Sequence, residues 1–341
     1  MVGEYLSTVP NDTLGRPLKD LRISVTDRCS FRCVYCMPRE IYDGHEYLNR
    51  SEVLTYDEIA LVARAAAGLG VQKVRLTGGE PLLRRQLPVL VAMLSGIDGI
   101  DDLALTTNGH LLEAQVPDLV AAGLDRVTVS LDAIDEAVHL AMSDTDVPVA
   151  TILSSIDAAS AAGLGPIKVN TVVQRGWNDH QVLPIVERFR GTGHTPRFIE
   201  YMDVGTTNGW SEDDVVTTQD LVEVIGSRWP MEPQPRSHPG EVASTYSFTD
   251  GRGDVGFISS VSQPFCGDCS RLRLSADGSL YTCLFASKGH DVKEAIRSGA
   301  TEDDIAEFIA SVWSSRGDRY SELRGGVALP DPKVEMSYIG G

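Results

Sequence analysis

The sequence predicts an α/β protein built on a parallel sheet, and three observations lead there. From Leu21 to Met202 the chain repeats strand, polar turn and helix six times. A parallel pair needs a crossover long enough to hold a helix, so strands that alternate with helices imply a parallel sheet. After Thr217 that repeat gives way to a Pro-rich stretch, W-P-M-E-P-Q-P-R-S-H-P-G, and then to two hairpin signals, Asp250-Gly251 and Asp277-Gly278. The six cysteines fall in two triplets, one in each of these regions.

Taken in order, residues 1–20 are polar and turn-rich, with Asn11, Asp12, Gly15 and Pro17, and read as an irregular lead-in. Leu21 to Asp27 alternates apolar and polar positions and predicts a first strand that delivers the first cysteines at its carboxyl end. Arg39 to Ser51 reads as a long polar loop. Thr55 with Glu58 is a capping box, and Ile59, Leu61, Val62, Ala65 and Ala66 form the apolar stripe of a helix ending near Gly68 and Gly70. Further strands are predicted at Lys73 to Thr77, Leu103 to Thr107, Arg126 to Leu131, Ile167 to Val173 and Arg197 to Met202, with Ala-rich or Leu-rich helical segments between them. A helix over Thr218 to Arg228, two hairpins, helices over Val292 to Arg297 and Asp303 to Ser315, and a mobile-looking tail complete the chain. Periodicity leaves open whether the parallel sheet is doubly wound or curled into a barrel.

The chain has 341 residues, 42% of them hydrophobic, and a formal charge of -18. That is long enough for a sizeable core. The amino terminus lacks a basic flank and apolar stretch, and no apolar run is long enough for a membrane span, so a cytoplasmic protein is expected. The negative charge argues against nucleic-acid or anionic-membrane surfaces, which need basic patches. Cysteines bunched in triplets read as metal or redox ligands rather than a disulfide framework.

The first triplet lies in D-R-C-S-F-R-C-V-Y-C-M-P, where Cys29, Cys33 and Cys36 leave three and then two residues between thiols. Three thiolates on one short loop suit an iron-sulfur cube with one iron left open to a ligand. In the second, Cys266 and Cys269 enclose two residues, and thirteen more separate Cys269 from Cys283. Arg22 and Arg75 on the first two strands, with Arg271 and Arg273 just past Cys269, suit phosphate oxygens. There is no P-loop, no second histidine after His45-Glu46 for a zinc protease, no G-x-S-x-G elbow and no complete dinucleotide loop.

The C-x3-C-x2-C motif with Tyr35 before its last cysteine is the signature of the radical S-adenosyl-L-methionine (SAM) superfamily. The segment F-C-G-D-C-S-R-L-R-L-S-A-D-G-S-L-Y-T-C-L-F closely resembles the carboxy-terminal cluster motif of one of its families, the GTP 3′,8-cyclases. The resemblance implies a partial (β/α)6 TIM-like barrel over residues 1–216 and a smaller α+β domain over 217–341 that carries a second cluster and covers the barrel's open side. It implies two [4Fe-4S] clusters, on Cys29, Cys33 and Cys36 and on Cys266, Cys269 and Cys283, with the first triplet catalytic in splitting SAM. It assigns SAM contacts to Tyr35, Gly79 in T-G-G-E-P, Ser130 and Met202. GTP contacts fall to Arg22, Arg75, Thr106, Lys168, Arg271, Leu272 and Arg273. The implied activity is a lyase reaction. A 5′-deoxyadenosyl radical takes hydrogen from C3′ of GTP, and the product is 3′,8-cyclo-7,8-dihydro-GTP, the first step of molybdenum cofactor biosynthesis. The implied partners are a flavodoxin- or ferredoxin-like electron donor and a downstream cyclic pyranopterin monophosphate synthase, with a homodimer left open. Two rival readings are a peptide-modifying radical SAM enzyme and a zinc protein using Cys33, Cys36, Cys266 and Cys269.

Overall fold

The computed structural model describes residues 9–236, 240–324 and 332–340. Six strands run in chain order and pair parallel with their neighbours: β1 (Asp20–Ser24), β2 (Lys73–Thr77), β3 (Asp102–Thr107), β4 (Arg126–Ser130), β5 (Lys168–Val173) and β6 (Thr195–Glu200). The later strands are β7 (Met231–Pro233), β8 (Ser244–Phe248), β9 (Asp254–Ile258), β10 (Arg271–Leu274), β11 (Ser279–Tyr281) and β12 (His290–Asp291). They extend the same sheet at both edges, in the order β12-β11-β10-β1-β2-β3-β4-β5-β6-β9-β8-β7. Here β10 lies parallel to β1 and β9 parallel to β6. The two Asp-Gly hairpins therefore flank the six-unit core, one on each side.

Alternation along the strands separates core from cavity. Leu21 and Ile23, Val74 and Leu76, and Leu272 and Leu274 are fully buried against the surrounding helices. Their neighbours Arg22, Arg75, Arg271 and Arg273 line the space enclosed by the sheet. This is the period of two that a half-buried sheet demands. The helix Tyr56–Gly68 starts where expected: Thr55 Oγ1 accepts from Glu58 N at 3.2 Å, and Glu58 Oε2 accepts from Thr55 N at 2.7 Å. Late in the chain, the helix Glu302–Ser314, with its own Thr301 and Asp304 box, packs back onto that first helix. One prediction needs amendment. A short helix, Arg39–Tyr42, begins the segment read as a polar loop, because Tyr42 is buried at its end. No helix among the described residues is long and apolar enough to cross a membrane.

Candidate active site

The loops after the strands converge on a cavity of about 330 Å³ that all six cysteines line. The first triplet follows β1 on a loop pinned to a neighbouring helix, with Arg32 N donating to Ser143 O and Val34 N to Met142 O, each at 3.0 Å. Phe31 is buried below it. The T-G-G-E-P loop after β2 closes on the same segment: Gly79 N donates to Thr26 O at 2.8 Å and Glu80 N to Arg28 O at 2.7 Å. A Cβ on Gly79 would lie 2.3 Å from Arg28 O, and one on Gly78 2.5 Å from Thr26 O. The glycines thus let this turn press against the backbone entering the cysteine loop, a close approach that no bulkier residue permits. Asn108 donates from Nδ2 to Ser30 Oγ at 3.1 Å and lies 4.0 Å from Cys29 Sγ.

The surroundings of the first triplet are acidic. Burial, reinforced by Glu80, pushes the Cys29 thiol up to about 12; burial and Asp132 push Cys33 well up. Glu80 is itself raised by burial to about 7, although Thr107 Oγ1, Asn108 N and Leu82 N all donate to it. Asp132, raised to about 6 by burial, accepts from Tyr35 OH at 2.7 Å. At the second triplet the thiols diverge: burial pushes Cys283 up to about 11. Burial would raise the Cys269 thiol, but Arg271 and Arg316 outweigh it and bring it down to about 6. Cys33 has Cys29 and Cys36 among its electrostatic neighbours, and Cys283 has Cys269. Among the described residues no three His, Cys, Asp or Glu side chains converge as ligands of a single metal ion. Three thiols on one loop, a glycine turn drawn against it and an amide near Cys29 fit one corner of an iron-sulfur cluster. The second set offers the same all-sulfur donors.

Cations line the cavity between the triplets. Register places Arg22 opposite Arg273 on one side and Arg75 on the other, while Asp20 stands opposite Arg271 and Lys73. Burial first, then Arg273, Arg271 and Arg75, pull the Arg22 guanidinium well below its ordinary value. Arg75 Nη1 donates to Thr106 Oγ1 at 2.9 Å and Thr128 Oγ1 at 3.1 Å. Burial, then Arg197, Arg126 and other cations, lowers Lys168 to about 7. Leu272 departs from the expected set: its side chain is fully buried in the core, since only alternate residues of β10 face the cavity. The tail is placed as well. Lys333 Nζ donates to Asp203 Oδ2 at 2.9 Å, Glu335 accepts from Thr206 N at 2.8 Å, and Val334 N donates to Ala286 O at 3.0 Å. Gly340 then lies against Thr77, and its carbonyl accepts from Arg273 Nη1. Gly341 lies outside the described residues.

Comparison with known proteins agrees with this geometry. The radical SAM superfamily matches residues 23–189, and the Molybdenum Cofactor Synthesis C family matches residues 194–322. A GTP 3′,8-cyclase of Xanthomonas axonopodis pv. citri is 54% identical over 97% of this chain and 98% of its own length. Those of Acidothermus cellulolyticus and Staphylococcus aureus are 51% and 48% identical at the same coverage. The chain belongs to the GTP 3′,8-cyclase family. In fold it also resembles Streptococcus suis SuiB bound to S-adenosylmethionine, with a TM-score of 0.62 at 14% identity, over 81% of this chain and 64% of that one.

Within this member of the GTP 3′,8-cyclase family, the cavity brings together every predicted site residue except the Leu272 side chain. It also adds residues the sequence reading passed over. Asn170 and Arg197 line the cavity, and Arg197 Nε and Nη2 donate to Asn170 Oδ1 at 3.0 and 2.9 Å. Alternation along β5 from Lys168 would have pointed to Asn170. Glu80 lies inside the T-G-G-E-P motif and Asp132 just past the predicted strand Arg126 to Leu131, but nothing in their spacing says that they are buried.

Proposed function

We propose that this protein is a radical SAM GTP 3′,8-cyclase, a lyase that converts GTP to 3′,8-cyclo-7,8-dihydro-GTP while splitting SAM into methionine and 5′-deoxyadenosine. The reaction begins molybdenum cofactor biosynthesis. The observation that carries this reading is the near full-length identity of about half to named GTP 3′,8-cyclases. The protein uses two [4Fe-4S] clusters and SAM.

Cys29, Cys33 and Cys36 would hold the first cluster, and Cys266, Cys269 and Cys283 the second. When bound, the first cluster would supply the electron that splits SAM, and the second would supply an iron site for the substrate. The remaining work belongs to the chain. Tyr35, Gly79, Ser130 and Met202 orient SAM, whose cationic sulfonium suits the acidic end formed by Glu80 and Asp132. Arg22, Arg75, Lys168 and Arg271 take the triphosphate in a setting where burial makes an added anion favourable. Arg273 shares its guanidinium with the tail carbonyl, so the tail borders the phosphate site. Thr106 orients Arg75. The apolar lining from Phe31, Val172, Ile199 and Phe265 keeps water from the reacting centre. Residues 1–216 then carry SAM cleavage and 217–341 the second cluster.

A flavodoxin- or ferredoxin-like donor and a cyclic pyranopterin monophosphate synthase complete the reading, in the cytoplasm. The zinc alternative leaves Cys29 and Cys283 without a role. The test is anaerobic reconstitution with iron and sulfide counts, followed by incubation with SAM and GTP. 5′-Deoxyadenosine and a cyclised nucleotide are expected in equal amounts. Colourless protein carrying stoichiometric zinc would overturn it.

A further inference from the structure

The segment before β1 reaches the second cysteine triplet, where it meets Arg316, itself part of the cavity lining. Asp12 organises it: Oδ1 accepts from Leu14 N and Arg16 N, both at 2.9 Å, and Oδ2 accepts from Arg16 Nε at 2.6 Å. The same Oδ2 stands 3.5 Å from Arg316 Nη1, so one carboxylate joins two guanidinium groups. All three side chains are almost completely buried. Each arginine then lands on a cysteine of the second triplet. Arg16 Nη1 donates to Cys266 O at 2.6 Å, and Arg316 Nη1 donates to Cys269 O at 2.6 Å. Trp313 locks the pair together, since the Arg316 guanidinium lies 4.6 Å from its ring centre and its Nε1 donates to Arg16 O at 3.0 Å.

We propose that Arg16 and Arg316, bridged by Asp12, are positioning residues that set the geometry and raise the reduction potential of the second cluster. The inference rests on the reading that this triplet holds a cluster. Asp12 pairs both guanidinium groups and Asp318 Oδ2 stands 3.5 Å from Arg316 Nε, yet each arginine turns its Nη1 to a cysteine carbonyl, and Arg16 Nη2 is buried without a hydrogen-bond partner among the described residues. A positive charge beside a thiolate-ligated cluster favours the form with one more electron, and outer groups of this kind are a recognised lever on cluster potential. Holding both carbonyls also fixes the Cys266–Asp268 turn, so that Cys266 and Cys269 present their thiols together.

The test uses the full-length holoenzyme and its Arg16→Gln, Arg316→Gln and Arg16→Lys variants. Iron and sulfide are counted, and an anaerobic redox titration is followed by electron paramagnetic resonance. SAM and GTP are each added to show which signal belongs to which cluster. Loss of one charge should lower the reduced-to-oxidised ratio of the second cluster about tenfold at a fixed potential, a shift of about 59 mV for one electron. The first cluster's potential should stay in place. Arg16→Lys should restore most of the shift, because the charge returns even though the fork is lost. Wild type lacking a second cluster signal would overturn the parent reading. A second cluster present at full occupancy with unshifted potential in both Gln variants would overturn this inference and leave the arginines as pins for the amino-terminal segment.

Discussion

The two cysteine triplets offer the same three sulfurs to the same cavity, yet Cys29 and Cys33 have carboxylate neighbours where Cys269 has arginines. Glu80 and Asp132 stand near Cys29 and Cys33, whereas Arg271 and Arg316 bring Cys269 down to about 6. Ligand count does not distinguish the sites; their electrostatics do. An acidic end suits a cationic sulfonium, and a cationic end suits a triphosphate.

The largest effect should come from removing sulfur. Cys29→Ala, Cys33→Ala or Cys36→Ala should abolish 5′-deoxyadenosine formation, measured chromatographically after anaerobic incubation with SAM. Cys283→Ala should instead block cyclisation while some uncoupled SAM cleavage survives. Normal SAM cleavage in both classes would erase the functional difference between the ends.

Next come the arginines of the cationic end. Arg271→Ala should weaken GTP binding by roughly ten- to a hundredfold, as expected for losing a charge-assisted hydrogen bond contributing about 1.5–3 kcal/mol. Guanosine, which has no phosphates, should lose far less. Arg273→Ala should follow the same pattern and also release the tail, because Arg273 Nη1 donates to Gly340 O. Anaerobic equilibrium dialysis with both ligands decides the matter. Equal losses for the two would mean that these arginines shape the fold rather than bind phosphate.

A pH series sharpens the contrast further. The Lys168 ammonium titrates near 7 because burial and then Arg197, Arg126, Lys73 and Arg75 disfavour its charge. A bound triphosphate favours that charge. GTP binding should therefore take up a proton above pH 7 and weaken as pH rises, by at most about tenfold per pH unit for one linked proton. Lys168→Met should bind more weakly at pH 7 and lose most of that slope. A wild type whose GTP affinity is flat from pH 7 to 8.5 would count against the assignment.

The smallest effect belongs to the tail. Deleting Gly340 and Gly341 should leave folding and iron content intact, because the strap is held upstream through Lys333, Val334 and Glu335. Cyclisation should fall severalfold in single-turnover assays. Full activity would make the contact with Arg273 a packing detail.

Much of this architecture was legible in the chain. The strand Lys73–Thr77 and the helix Thr218–Arg228 lie where the sequence pattern placed them. The alternation of R-L-R-L told which side chains of β10 share a face, and it also explains why Leu272 belongs to the core. Asp-Gly turns specified two antiparallel pairs, but not that β9 would join β6 and β10 would join β1. A turn signal is local, whereas the choice of edge depends on which sheet faces the hairpin can bury.

By itself, then, the sequence determined the α/β repeat, the two sets of sulfur ligands and the row of arginines, because each follows from spacing along a strand or loop. Only the tertiary structure decided which charges meet. Asp12, Gly15 and Pro17 read as an irregular lead-in, yet Arg16 donates to the carbonyl of Cys266, 250 positions away. Gly340 read as the end of a mobile tail, yet it meets Arg273 across 67 positions. Such pairs carry no local signature, since nothing in the spacing of residues along a chain records which distant backbone will be buried beside a charge.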